Sequence, residues 1–225
     1  MKPEIKKAYL QLHLAIFLWG FTAILGELIS LAGVPLVWHR LWITILVLMF
    51  VPGAVKALKQ IPKKQFIQFS LIGFVVAAHW VTFYGSIKVS NPSIAVSCLA
   101  TSSLFTSFIE PLINRKKINP IEVILGLVAM IGIWIMFNAA FNFLAGLIMG
   151  LISAFLSALF SSLNKKYATG SEAKAVTIIE MGSGFLLLSI LMPLYFQIFP
   201  DLKFIPLRDD WFWLIILGAV CTAFN

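Results

Sequence analysis

Long runs of apolar residues, broken only by short polar turns, constrain this sequence most. Seven runs are complete, and an eighth begins at Trp211; the seven cover residues 10–31, 36–51, 66–87, 93–113, 121–137, 144–163 and 175–199. A helix needs about 20 apolar residues to cross about 30 Å of hydrocarbon, and most of these runs approach or exceed that length. The sequence therefore predicts an all-α, polytopic helical membrane protein.

Composition supports a membrane protein over a soluble one. Hydrophobic residues make up 60% of the chain and charged residues 12%, whereas soluble domains have about 45–50% and about 25%. The net charge of +8 does not indicate nucleic acid, because the basic residues form short clusters between apolar runs instead of one wettable face. The expected partners are the lipid bilayer and a small-molecule metabolite, and a homodimer stays open.

The basic residues are distributed unevenly between the loops on the two sides of the membrane. Thirteen of the seventeen fall on the side of the N-terminus: Lys2, Lys6, Lys7, Lys56, Lys59, Lys63, Lys64, Arg115, Lys116, Lys117, Lys165, Lys166 and Lys174. Because basic loops stay in the cytoplasm, this bias predicts a multi-pass protein of the cell (inner) membrane with a cytoplasmic N-terminus.

The chain also resembles itself at a spacing of about 140 residues. Residues 71–78 (LIGFVVAA) match residues 216–223 (ILGAVCTA), and Arg40 and Glu180 each precede a proline by 12 or 13 positions. A repeat of five spans inserts its second copy upside down. We therefore expect two inverted five-helix repeats, at 1–140 and 141–225. The second is incomplete, with about eight of ten helices present, because the eighth run reaches only Asn225.

Three passages resemble the drug/metabolite transporter superfamily, of the EamA type. They are residues 15–20 (AIFLWG), Arg40 at the start of the second run, and residues 71–95, which include FYGSIK and NPSIA. The chain departs from the family pattern where members carry a proline midway through the fourth helix, since Ser102 and Ser103 stand there. The resemblance implies a ten-helix fold, here truncated at the C-terminus, that moves small metabolites by alternating access.

Charged residues at membrane depth are costly and require an explanation. Glu27 near the outer end of the first run and Arg40 near the outer start of the second could form an ion pair. Such a pair either staples the first hairpin or sits in the headgroups, or it forms an extracellular gate or an anchor for an anionic substrate. Glu180 occupies the repeat position of Arg40. It either pairs with Lys165 or Lys166 and titrates, or extends to the interface.

Aromatic and hydroxyl residues supply the other candidates for a cavity or gate. Trp80 and Tyr84 share one helix face, and His79 beside them is either a proton-coupling group or a packing residue. Trp19 is a stacking candidate. Ser97 and Thr101 lie on one stripe of the fourth run, which either lines a polar cavity or packs against another helix.

These features favour a secondary transporter of small organic metabolites or drugs, not an enzyme. The sequence has no P-loop, no paired metal-ligand spacing and no nucleophile elbow, so no catalytic residue, metal or cofactor is expected. Two alternatives stay open. One is an integral-membrane enzyme acting on lipid-like substrates, and the other is a non-transporting membrane subunit.

Overall fold

The computed structural model describes residues 3–139 and 143–223, and this part of the chain consists of helices joined by short loops, without strands. The helices are α1 (Pro3–Leu28), α2 (Gly33–Met49), α3 (Ala54–Lys59), α4 (Lys63–Val89), α5 (Pro92–Leu99), α6 (Ser102–Asn114), α7 (Pro120–Ala139), α8 (Leu144–Tyr167), α9 (Ala173–Ile198) and α10 (Arg208–Ile215), which continues as a π-helix (Ile216–Ala223). The all-α prediction is confirmed.

Each apolar run of the sequence corresponds to one helix or to one consecutive pair of helices. Five segments are long and apolar enough to cross a membrane: Tyr9–Leu28, Lys63–Val89, Pro92–Asn114, Leu144–Tyr167 and Ala173–Ile198. Two shorter apolar helices, Gly33–Met49 and Pro120–Ile135, accompany them. The chain therefore has a polytopic helical membrane fold. The short helix α3 was not predicted.

The fourth run is divided into α5 and α6 at Ala100 and Thr101. Hydroxyl groups at the break bond to nearby carbonyls of the same segment: Thr101 donates to the Cys98 carbonyl at 2.6 Å, and Ser103 donates to the Ala100 carbonyl at 2.9 Å. Such bonds offer the backbone an alternative to regular helical pairing. Hydroxyl residues therefore mark the break at the place where the family pattern has a proline.

Helix α4 lies in the middle of the bundle and packs on α2, α8 and α9. Its Phe69 and Tyr84 side chains are fully buried, and they belong to one hydrophobic core with Leu36 and Leu41 of α2 and Leu217 of the π-helix. The segments at the centre of the bundle thus come from both halves of the sequence.

Two close helix contacts involve glycines that the predicted repeat makes equivalent. A Cβ on Gly73 in α4 would collide with the backbone of Glu180 in α9, and a Cβ on Gly218 would collide with the Ile43 side chain and lie 3.2 Å from the carbonyl oxygen of Arg40 in α2. Thr44 donates a hydrogen bond to the Gly218 carbonyl at 3.0 Å. Glycine thus allows close helix packing at both places.

The lysine-rich loops meet at one end of the bundle. Lys165 at the end of α8 forms an ion pair with Glu110 of α6, and Lys166 donates to the Ile113 carbonyl at 2.9 Å. These bonds join the C-terminal ends of two spans.

The opposite end is closed around the C-terminal end of α1. Asp210 accepts hydrogen bonds from the Ser30 backbone N–H at 2.7 Å, from the Ser30 hydroxyl at 2.6 Å and from the Leu207 N–H at 2.8 Å. Lys88 donates to the Ile29 carbonyl. The expected boundary between repeats, at residues 140 and 141, lies outside the described residues.

Candidate functional site

A cavity of about 510 Å³ lies in the centre of the bundle. It is enclosed by α1, α2, α4, α5, α8, α9 and the π-helix, so distant parts of the chain contribute to it. Its polar lining residues are Thr22, Arg40, His79, Ser157, Ser161, Thr177, Glu180 and Thr222, and its aromatic walls are Trp19, Trp80, Phe83 and Phe160. A concave site with apolar walls and a few polar groups is typical of small-molecule binding.

Arg40 lies in this cavity with only 4% of its surface exposed. Its Nη1 donates to the Tyr84 hydroxyl at 2.7 Å, and its Nε donates to the Thr222 hydroxyl at 3.0 Å. The guanidinium carbon lies 3.7 Å from the centre of the Trp80 ring, which is a cation–π contact. These three contacts hold a buried positive charge in one orientation.

Glu180 lines the same cavity and is 6% exposed. Its Oε1 atom has no hydrogen-bond partner among the described residues. Of the ion pairs within 4 Å that join described side chains, none includes Glu180 or Arg40. Two buried groups of opposite formal charge therefore share one cavity without bonding to each other.

His79 is buried at the side of the cavity, between α4 and α8. Its Nδ1 lies 2.9 Å from both the carbonyl oxygen and the hydroxyl oxygen of Ser153 in α8, so Ser153 holds the ring in place. The ring also packs against Phe160, with 5.3 Å between the ring centres.

The structure brings five of the nine predicted site residues to the cavity: Trp19, Arg40, His79, Trp80 and Glu180. A sixth, Tyr84, is fully buried behind it and holds Arg40 in place.

The expected ion pair between Glu27 and Arg40 is absent from the structure. Arg40 is the eighth residue of α2, about 10 Å along the helix from its first residue. At this depth it bonds to Tyr84 and Thr222. Glu27 remains exposed at the end of α1.

Of the two interpretations of Glu180, pairing with Lys165 or Lys166 is not found, and the side chain is buried at the cavity instead of extending outward. Both lysines turn instead to the end of α6, where they bond to Glu110 and to the Ile113 carbonyl.

The hydroxyl stripe of the fourth run does not line the cavity. Val96 and Leu99 are the residues of α5 that do. Thr101 is 1% exposed and donates to the Cys98 carbonyl, and Ser97 is half-buried away from the cavity lining. The packing interpretation of this stripe agrees with these contacts.

Sequence reasoning missed several polar lining residues, notably Thr22, Ser157, Ser161, Thr177 and Thr222. Single hydroxyl residues are common in membrane helices, where they also serve packing. The sequence offers no signal for them, because only the meeting of α1, α8, α9 and the π-helix turns these residues toward one space.

A second cavity, of about 530 Å³, lies between α2 and α9 near the end where α10 begins. Its lining is almost entirely apolar, with Trp38, Met192, Pro193 and Phe196 among its residues. Trp38 donates its indole N–H to the Ser189 hydroxyl at 2.8 Å. Of these two cavities, only the central one is lined by charged side chains.

Metal ligation has no support within the described ranges. They contain no group of three or more His, Cys, Asp or Glu side chains placed to hold a metal ion.

Comparison with known proteins agrees with this architecture. No curated protein gives a significant match to the chain. A solved structure, titled only as the crystal structure of a protein, is 17% identical and has a TM-score of 0.67, covering 97% of this chain and 77% of its own. That likeness shows a shared fold. The model of the EamA-like transporter family matches residues 6–138, which is more than half of the sequence. The chain therefore belongs to the EamA-like transporter family.

Proposed function

We propose that this protein is a secondary transporter that moves small organic metabolites or drugs by alternating access, with the central cavity as its substrate site. The cavity itself carries the proposal. It is large enough for a small organic molecule, with a volume of about 510 Å³, and it combines aromatic walls with two buried charged side chains that are not paired. Buried unpaired charges are costly in a membrane and indicate a function.

The proposed transport cycle rests on two inverted repeats, with a first unit at 1–140 and a second at 141–225. Two contacts support this division. Gly73 of the first unit packs on Glu180 of the second, and Gly218 of the second packs on Arg40 of the first. Exchange of partners between equivalent positions is expected of units related by a two-fold axis in the membrane plane.

We propose that the lysine-rich end of the bundle faces the cytoplasm of a cell whose inner membrane holds the protein. In support, Lys165 and Lys166 bond to the end of α6, which brings two of the lysine-rich segments together, as the rule of basic cytoplasmic loops predicts. The end where Asp210 bonds to Ser30 then faces outward.

Ligand binding and flux test the transport function. The purified protein is heated with a panel of monocarboxylates, primary amines, zwitterions and polyols, because a bound ligand raises the melting temperature. For each compound that raises the melting temperature, uptake is then measured in liposomes containing the protein. A carrier gives saturable uptake that is stimulated by the same compound inside the vesicle.

A cavity-filling variant shows whether the flux uses this site. Ser161→Trp places an indole in the cavity, and we expect it to abolish uptake. Ile152→Trp on the outward face of the same helix, where Ile152 is 46% exposed, should leave uptake unchanged. Uptake that survives Ser161→Trp, or a panel in which no compound changes the melting temperature, would contradict the proposal.

A further inference from the structure

We propose that the central cavity binds a small organic zwitterion with its charges at opposite ends, its anionic group on Arg40 and its protonated nitrogen on Glu180. This inference rests on the proposed transport function, since it names the class of cargo for the same cavity.

The Arg40 end is built to receive an anionic oxygen group. The Tyr84 hydroxyl and the Thr222 hydroxyl occupy Nη1 and Nε, and Trp80 covers one face of the guanidinium. Among the hydrogen bonds of the described residues, none uses Nη2. The group is thus fixed in orientation before a ligand arrives, with donors left for a carboxylate or a similar anion. Pairing with such an anion compensates the cost of burying the guanidinium charge.

Glu180 offers the complementary acceptor at the other end. Its backbone lies against Gly73 of α4, whereas Arg40 contacts Trp80, seven residues or about 10 Å further along the same helix. Glu180 is 6% exposed and its Oε1 has no partner in the part of the chain described. The basic residues nearest to Glu180 along the chain bond elsewhere: Lys174 to Glu172 and to the Pro52 carbonyl, and Lys165 and Lys166 to α6. A protonated amine bound against the Glu180 carboxyl group would supply the opposite charge.

The two ends together select against molecules with one charge. A simple anion on Arg40 would enter a cavity that also contains a carboxyl group, and a simple cation on Glu180 would enter one that contains a guanidinium. Like charges repel strongly where water is scarce. A zwitterion satisfies both ends and brings no net charge into the membrane interior.

Aromatic side chains form much of the cavity wall. Trp19, Trp80, Phe83 and Phe160 line it, so the part of the ligand between the charges is expected to be apolar, and a flat ring would stack well there. These features define a ligand of moderate length with an apolar centre.

Three matched probes test the charge requirement on the purified protein in lipid nanodiscs. They are 4-(aminomethyl)benzoate, which is zwitterionic, 4-methylbenzoate, which lacks the ammonium group, and 4-methylbenzylamine, which lacks the carboxylate. Titration calorimetry measures each affinity. We expect the zwitterion to bind at least about tenfold more tightly than either analogue, because each lost ionic hydrogen bond is worth about a factor of ten or more. Equal affinities, or tighter binding of a single-charge probe, would overturn the proposal.

Two variants test which residue binds which charged group of the ligand. Glu180→Gln keeps the side-chain shape, and it should reduce zwitterion affinity at least about tenfold while leaving 4-methylbenzoate binding at least as tight as before. Arg40→Gln should reduce the affinities of the zwitterion and the benzoate but not that of the amine. Glu122→Gln and Arg208→Gln, which change the same residue types on exposed surfaces, are the controls and should change none of the three.

Arg40 is deeply buried, so its variant is checked for a monodisperse gel-filtration peak. If Arg40→Gln aggregates, the probe affinities of the unaltered protein and of Glu180→Gln decide the matter. An unchanged zwitterion affinity in Glu180→Gln refutes the assigned geometry. The proposed transport function can fail separately. If the zwitterion binds as expected but shows no saturable uptake in liposomes, the binding site stands and the transport role is refuted.

Discussion

The Tyr84 hydroxyl accepts a hydrogen bond of 2.7 Å from Nη1 of Arg40, and this bond joins the centres of α4 and α2 at the wall of the cavity. Both residues are buried, Tyr84 completely and Arg40 to 96%. The sequence separates them by 44 positions, yet the tyrosine fixes where the guanidinium points. A residue outside the cavity thus decides the geometry within it.

Removing the Tyr84 hydroxyl should destabilise the protein and weaken its hold on Arg40. We expect Tyr84→Phe to cost about 1–3 kcal/mol, because a buried guanidinium N–H loses its acceptor. The measurement is the melting temperature in detergent. Tyr9→Phe, at a tyrosine that is 54% exposed, is the matched control and should be neutral. A Tyr84→Phe protein as stable as the control would show that the bond contributes nothing.

The contact between α4 and α9 should not tolerate a methyl group at Gly73. A Cβ there would collide with the Glu180 backbone and the Ser183 side chain. We therefore expect Gly73→Ala to destabilise by about 1–3 kcal/mol, the usual cost of overpacking. Thermal unfolding followed by circular dichroism measures this.

Gly182→Ala provides the control on the facing helix, because nothing lies within 4 Å of a Cβ at Gly182. It should be neutral or stabilise by up to about 1 kcal/mol through its higher helix propensity. If both variants unfold at the same temperature, the two helices are not in the close contact described.

Asp210 should contribute more to stability than its neighbour Asp209. Asp210 is 3% exposed and accepts three hydrogen bonds from Ser30 and Leu207. Asp210→Asn removes the charge and turns one acceptor into a donor facing N–H or O–H groups, so a loss of about 2 kcal/mol or more is expected. Asp209 is exposed, and Asp209→Asn should change the melting temperature little. The reverse order of the two variants would be inconsistent with a closed end at Ser30.

Cysteine labelling tests the orientation of the bundle in intact cells. Lys59→Cys, at the exposed end of α3, should stay unlabelled by a membrane-impermeant maleimide until the cells are opened, whereas Lys203→Cys, also exposed, should react at once. The native Cys98 and Cys221 are buried, so the unaltered protein serves as the background control. Reaction of Lys59→Cys in sealed cells would reverse the proposed topology.

Much of the fold could be predicted because its signals are local. The apolar runs predicted the membrane spans, because a stretch of about 20 apolar residues can be recognised without knowing which other helices it packs against. The break within the fourth run was not predicted: it depends on hydrogen bonds from Thr101 and Ser103 that compete with the helix. The short α3 was missed because it is only six residues long.

The candidate site could be predicted only in part. Buried charges are rare in membrane segments, so Arg40 and Glu180 stood out by residue type alone. Their partners did not: the sequence suggested Glu27 for Arg40 and, as one of two alternatives, Lys165 or Lys166 for Glu180, and the structure has neither pairing. Residues that lie near each other in the sequence are separated in the fold, because Arg40 lies in the interior beside Thr222 and Lys165 lies at the end of α6.

The sequence by itself determined that this chain is a helical membrane protein of the EamA-like transporter family, because hydrophobicity and family motifs are properties of consecutive residues. Only the tertiary structure decided that Arg40, His79 and Glu180 share one cavity. The physical reason is that a cavity depends on which helix faces meet, and that is determined by close packing between distant segments, as at Gly73 and Gly218.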